Sequence, residues 1–249
     1  LDFDMLQTPH GQRDAVPPTV RTVRESYSDT PVMPVINGEA AYEMLNDSIK
    51  TEWTRRMFWL CMTNGAAGHT YGANGIWQCN RKGQPHGPSP TAGSPPTGYG
   101  TIAWDEAMDL PGSLQIGFGR RLLEEFAWQE FRPHPEWARF ADEPTTGSAP
   151  STDDAYGPQS TGIPGVVRVV YVPESRPVAI RNLDRGTSHT ASYFDPVRGA
   201  RTTVPAVQCD ENGSWRCSPP PGIDHDWVLV MHAGKPELST GNRGAAGRP

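Results

Sequence analysis

The feature that most constrains this chain is a short apolar run, Pro31-Val-Met-Pro-Val-Ile36, which stops at Asn37-Gly38-Glu39. Such a run, apolar almost throughout, suits a strand covered on both faces, as in a parallel sheet. On its N-terminal side Leu1 to Gln7 alternates Asp2 and Asp4 with apolar residues and ends at the turn-forming Thr8-Pro9-His10-Gly11, which predicts a second strand. Between them Pro17-Pro18 opens a helical stretch through Val20, Val23 and Arg24, proline being tolerated in a first turn. Beyond Glu39, either Asp47 or Ser48 can cap a helix carrying Trp53, Met57, Phe58, Leu60 and Cys61 up to Asn64-Gly65. The small-residue segment Gly65 to Gly72 reads as a third strand that runs into Ala73-Asn-Gly-Ile-Trp77. Strand, helix, strand, helix, strand is βαβ order and predicts a parallel sheet.

The rest of the chain changes character. Asn80 to Gly100 is dense in Gly and Pro and reads as a long loop. From Thr101 a short helical stretch is interrupted at Pro111-Gly112, and Leu114, Phe118, Leu122 and Phe126 then recur every four residues as an apolar stripe. Ala141 to Gly165 turns acidic and rich in Ser, Thr, Gly and Pro, the composition of a linker. After it, Val166 to Val172, Pro177 to Arg181, Thr190 to Phe194 and Trp227 to Met231 are short strand-like runs between turns, as in an antiparallel sandwich. The expected organisation is 1–140 α/β, 141–165 linker, 166–232 all-β and 233–249 disordered tail.

A net charge of -6 argues against a general affinity for nucleic acid or anionic membranes. Neutral substrates such as sugars fit better, and the 8 Trp, 7 Tyr and 7 Phe can supply stacking faces for them. No run of eighteen apolar residues predicts a membrane span. The opening Leu1-Asp-Phe-Asp-Met has no leader pattern, from which a chain beginning partway through a larger protein is expected. Of the four cysteines, Cys209 and Cys217 are spaced to staple a hairpin, the alternative being four reduced thiols. HExxH, paired CxxC and Asp-rich calcium loops are missing, so neither a metal nor another cofactor is expected; GxxxxGK[ST] and GxSxG are missing too.

In a parallel barrel, chemistry gathers at the carboxyl ends of the strands. Three such ends would place His10, then Glu39 with Tyr42 and Glu43, then His69 with Tyr71, Asn74 and Trp77, on one rim. Carboxylate, imidazole, phenol and indole are what glycosidic-bond hydrolysis asks for. Each has a plainer reading: Glu39 a helix cap, Glu43 exposed or orienting, His10 and His69 structural, Trp77 core.

The runs LDFDMLQTPHG, PVINGEAAYE, GAAGHTYGANGIWQ and AWDEAMDLPGSLQIG, in this order, resemble the end of the apiosidase-like catalytic domain. Residues 166 to 232, with YFDPVRGA and DWVLVMHA, resemble the β-sandwich that follows it, labelled a collagen-binding domain of a collagenase. The resemblance implies a (β/α)8 TIM barrel of which about the last three βα units are present, followed by a small antiparallel β-sandwich. It implies a retaining glycosidase, secreted or periplasmic, that releases apiose from plant pectin or cuts a related polysaccharide. Glu39 falls on the nucleophile position at the end of the seventh strand. His10, Tyr42, His69, Tyr71, Asn74 and Trp77 are implied to line the sugar site. The general acid/base belongs to a fourth strand that these residues do not include, so the chain alone is expected to be inactive. The alternative is a non-catalytic carbohydrate- or matrix-binding protein that uses the sandwich.

Overall fold

The structure is a computed structural model that describes residues 2–84, 99–143 and 152–234. Most of the Asn80 to Gly100 loop, the middle of the 141–165 segment and nearly all of the expected tail therefore lie outside the described residues.

Strands β1 (Asp4–Gln7), β2 (Val35–Glu39) and β3 (Gly68–His69) form a parallel sheet in the order β1-β2-β3. Helix α1 (Val16–Ser28) connects the first two and α2 (Thr51–Thr63) the next two, which is the βαβ order expected. Pro17 and Pro18 sit at the start of α1, where no backbone N–H is needed. Neither Asp47 nor Ser48 caps α2: the N-cap is Lys50, and the Asp47 carboxylate instead accepts the Thr101 N–H at 2.9 and 3.1 Å.

A one-turn helix α3 (Trp104–Ala107) precedes α4 (Pro111–Leu123), which starts at the proline expected to break the pattern. Its buried residues are Gly112, Gln115, Ile116, Gly119, Leu122 and Leu123, whereas Leu114 is 57% exposed. The every-four stripe drifts around a helix of 3.6 residues per turn, so only part of it meets the core.

Strands β4 (Arg132–Pro133), β5 (Ala138–Phe140), β6 (Gln159–Ile163), β7 (Val167–Val172), β8 (Val178–Ile180), β9 (His189–Asp195), β10 (Ala200–Thr203), β11 (Trp215–Cys217) and β12 (Trp227–Ala233) make two antiparallel sheets. One has the order β10-β9-β12-β7-β6-β4 and the other β11-β8-β5. Both draw on residues before 166. Within the 141–165 segment read as linker, β6 pairs along its length with β7. Its polar Gln159, Ser160 and Thr161 are buried because Gln159 accepts from Arg24 at 3.0 Å and from Asn64 at 3.2 Å while the Ser160 and Thr161 hydroxyls bond backbone carbonyls.

The layers explain the apolar strands. Val170, Val172, Leu229 and Met231 face the smaller antiparallel sheet, in a core with Phe140, Val178, Ile180 and Cys217. Their alternates Val169, Tyr171, Val228 and Val230 face α2 and α4, in a core with Trp59, Leu60 and Ile116. Trp59 stacks on Tyr171 at a centroid distance of 5.8 Å. At this interface the buried Arg55 grips Asp226 with two bonds, Nε at 3.0 Å and Nη2 to the other oxygen. Burial alone would weaken the guanidinium's hold on its proton, and the Asp226 bonds more than restore it. With both of their faces covered, β7 and β12 have no polar alternation to show.

The four cysteines are free: Cys209 is exposed, and Cys217 is buried with its sulfur 3.7 Å from the Tyr193 hydroxyl, so the suggested Cys209–Cys217 staple is not made.

Candidate active site

The register of β1 against β2 slips at the strand end. Leu6 pairs with Asn37 and Gln7 with Glu39, leaving Gly38 as an extra residue, a bulge. Asn37 is buried on the helix side, 3.2 Å from the Cys61 sulfur of α2. Without the bulge Glu39, two residues on, would face the same way. With it, the Glu39 carboxylate turns to the Gln7 face, where Gln7 Nε2 donates to Oε1 at 2.7 Å. His10 Nε2, from the loop after β1, lies 3.1 Å from the same oxygen. The Glu39 side chain is 37% exposed and that of His10 25%, so the pair stands at an open surface.

Tyr42 completes this group. Its ring meets His10 edge-on at 5.0 Å and lies over Gly72, where a Cβ would fall 2.2 Å from the ring. Partial burial, then the nearby Glu39 charge, raise its phenol above the ordinary value. Carboxylate, imidazole, amide and phenol thus converge from two segments, the ends of β1 and β2 with the loops that follow them.

Not every expected residue joins them. His69 pairs with Asn37 in the β2–β3 ladder and shares its direction, toward the helices. Its ring packs edge-on against Phe58 at 5.7 Å, with both nitrogens buried and unbonded. Burial lowers its pKa to about 4, so the imidazole is neutral at physiological pH. Tyr71 turns to Glu43, donating to Oε2 at 2.7 Å; burial and then that carboxylate hold its phenol well above the ordinary range. Asn74 is fully buried with neither amide atom bonded. Trp77 is 45% exposed, its ring edge-on to Tyr99 at 5.3 Å, and makes no ring contact with the Glu39 group.

Glu43, read as exposed or orienting, is 1% exposed. Its carboxylate takes the Tyr71 hydroxyl, the Gly112 N–H at 2.9 Å and the Thr51 hydroxyl. Gln7 was missed; its place as the last residue of a strand ending beside Glu39 was the available signal. Among the described residues no three His, Cys, Asp or Glu side chains gather to hold a metal ion, and no helix is long and apolar enough to cross a membrane.

A carboxylate flanked by imidazole and phenol thus stands at a parallel-strand end, on a sheet backed by helices and an antiparallel unit. Two solved structures share this fold. One, a glycoside hydrolase, is 22% identical with a TM-score of 0.70, over 93% of this chain and 52% of its own. The other, a glycoside hydrolase family 5 protein from Bacteroides vulgatus, is 21% identical with a TM-score of 0.72, over 93% of this chain and 50% of its own. The chain thus spans about half the length of these structures. No curated protein matches it. The chain belongs to the apiosidase-like family, whose catalytic domain matches residues 1–130, more than half of its 249 residues. Residues 164–232 match a domain described as "Putative collagen-binding domain of a collagenase".

Proposed function

We propose that this chain carries the nucleophile, Glu39, of a retaining glycosidase acting on plant cell-wall or related polysaccharide. The observation that carries the reading is the Glu39 carboxylate, turned by the bulge at Gly38 to an open face and held by Gln7 and His10 within the family-matched residues. A retaining cycle needs a second carboxylate about 5–5.5 Å away as acid/base. In this reading that group comes from barrel strands outside the 249 residues, beside β1, and residues 1–140 are the last three βα units. Glu39 attacks the anomeric carbon as the leaving-group oxygen takes a proton from the acid; water then displaces the enzyme with the acid acting as base. Gln7 and His10 hold the attacking oxygen in place, and Tyr42, with Trp77 further out, offers the sugar hydrogen-bonding and stacking surfaces. A secreted or periplasmic location follows from such a substrate.

The rival, a matrix- or glycan-binding sandwich, has less support, since α2 and α4 cover one face of the central strands β7 and β12 and the smaller sheet covers the other.

The test is sugar release from apiose-containing pectin and a panel of plant cell-wall oligosaccharides. This chain alone is expected to release nothing. Complemented by the missing barrel strands it is expected to release sugar, and Glu39→Gln to abolish release with an unchanged unfolding curve. Activity within a few-fold of the unmutated protein would remove Glu39 from the role.

A further inference from the structure

We propose that Glu43 is a positioning residue, whose buried carboxylate fixes the rim that carries Glu39 and Tyr42. The inference rests on the glycosidase reading of that rim.

A carboxylate withdrawn from water costs several kcal/mol unless its oxygens find donors. Glu43 meets three, all neutral and all distant in sequence: the Tyr71 hydroxyl beyond β3, the Thr51 hydroxyl in the first turn of α2 and the Gly112 N–H in the first turn of α4. Helix α4 has no side-chain cap of its own, because its N-cap is Leu110. The charge at its positive end comes instead from 69 residues away. A local Ser or Asp would have capped the helix more simply. What the distant carboxylate adds is a tie between the segment after β2 and three other elements.

That segment bears the site. The Glu43 N–H donates to the Gly72 carbonyl at 2.9 Å, and its carbonyl accepts from Asn74 at 2.8 Å. Tyr42, the preceding residue, is thereby seated on Gly72 with its edge toward His10. At the near end, the Glu39 carbonyl accepts the Thr8 N–H at 2.8 Å. The Glu43 carboxylate thus closes one end of a five-residue span whose other end is Glu39. Gly112 must be glycine for this, since a Cβ there would lie 2.2 Å from the Glu43 oxygen.

The role is one of acceptor geometry, which separates it from that of a reacting carboxylate. Gln can present its oxygen to Gly112 and Tyr71 in the place of Oε2, and its amide to the Thr51 hydroxyl oxygen in the place of Oε1; Ala can do neither. The experiment follows amide hydrogen exchange at Thr8 in this chain, with Val169 and Val230 of the antiparallel core as internal reference. Glu43→Ala is expected to speed Thr8 exchange by about tenfold or more with the reference amides unchanged, and Glu43→Gln to stay within about threefold of the unmutated chain. In complemented protein that turns over a glycoside, Glu43→Ala is expected to lower kcat by about tenfold or more with KM within about threefold, Gln restoring it. Unchanged Thr8 exchange in Glu43→Ala overturns the proposal, as does a Gln variant as perturbed as Ala, or loss of protection spread equally over the reference amides. If Glu43→Ala does not fold, Tyr71→Phe, which removes one donor, must show the same local pattern at smaller size, and no change at Thr8 overturns the proposal equally. Rapid Thr8 exchange without glycoside turnover would sink the glycosidase reading and leave the positioning role standing.

Discussion

Acidification should destabilise this protein through one side chain, His69, by an amount its surroundings set. Burial against Phe58, with both ring nitrogens unbonded, takes its pKa from 6.5 to about 4. Above pH 6.5 the imidazole is neutral whether the chain is folded or unfolded, and the stability is whole. As pH falls from 6.5 toward 4 the unfolded chain takes up a proton that the folded one refuses, so stability is lost across that window. Below about 4 both forms are protonated and this loss stops. At about 1.4 kcal/mol for each pH unit separating the two values, the loss reaches about 3 kcal/mol, a large part of a typical domain's total. Asp195 loses stability in the same direction as pH falls, since burial raises its pKa but the Arg198 side chain and the Val197 and Arg198 N–H groups lower it overall, so a control is needed. His69→Phe keeps an aromatic ring and removes the titration. Urea unfolding followed by tryptophan fluorescence at pH 7, 6, 5 and 4 should show the original chain losing about 3 kcal/mol more than His69→Phe over that range, with the variant at least as stable at pH 7 because no unpaired ring nitrogen remains buried. Parallel pH profiles for the two proteins would refute the burial argument and put His69 back in contact with water or a polar partner.

Two further outcomes follow from buried groups. Asp226→Ala leaves the Arg55 guanidinium buried without its carboxylate and should cost about 3–5 kcal/mol, whereas the paired change Arg55→Met with Asp226→Leu should cost much less; urea unfolding of the two variants beside the unmutated chain decides. Burial pushes the Cys61 thiol to about 12 and the Cys217 thiol to about 11, so a thiol-reactive dye at pH 8 should label Cys79 and Cys209 quickly and the other two only on unfolding; four equal rates would contradict the packing.

The candidate nucleophile was legible because an apolar run stopping at Asn37-Gly38-Glu39 marks a strand end whatever surrounds it. Its neighbours were legible only in part. His10 reaches Glu39 and Tyr42 meets His10, since each lies a few residues past a strand end on the side to which the bulge turns the carboxylate. His69 has the same claim by position, yet its ladder partner is Asn37, and pairing sends it into the helix layer. Glu43 read as either exposed or orienting, because its donors stand 8, 28 and 69 residues off. Strand β6 hid inside a Ser- and Thr-rich stretch, since polar residues in a strand can be buried only where another element supplies partners, here Arg24 and Asn64.

By itself, the order of apolar runs and turn residues determined the parallel βαβ unit, the change to antiparallel strands and the position of Glu39 at a strand end. These depend on local preferences and on periodicity, which neighbouring residues carry. Only the tertiary structure decided which way each rim residue faces, that Glu43 is sealed inside, and that the antiparallel unit is packed onto α2 and α4 through Arg55, Trp59 and Tyr171. Direction in a sheet depends on register, and a one-residue bulge reverses it. A buried charge depends on donors that the chain brings together only when it closes on itself.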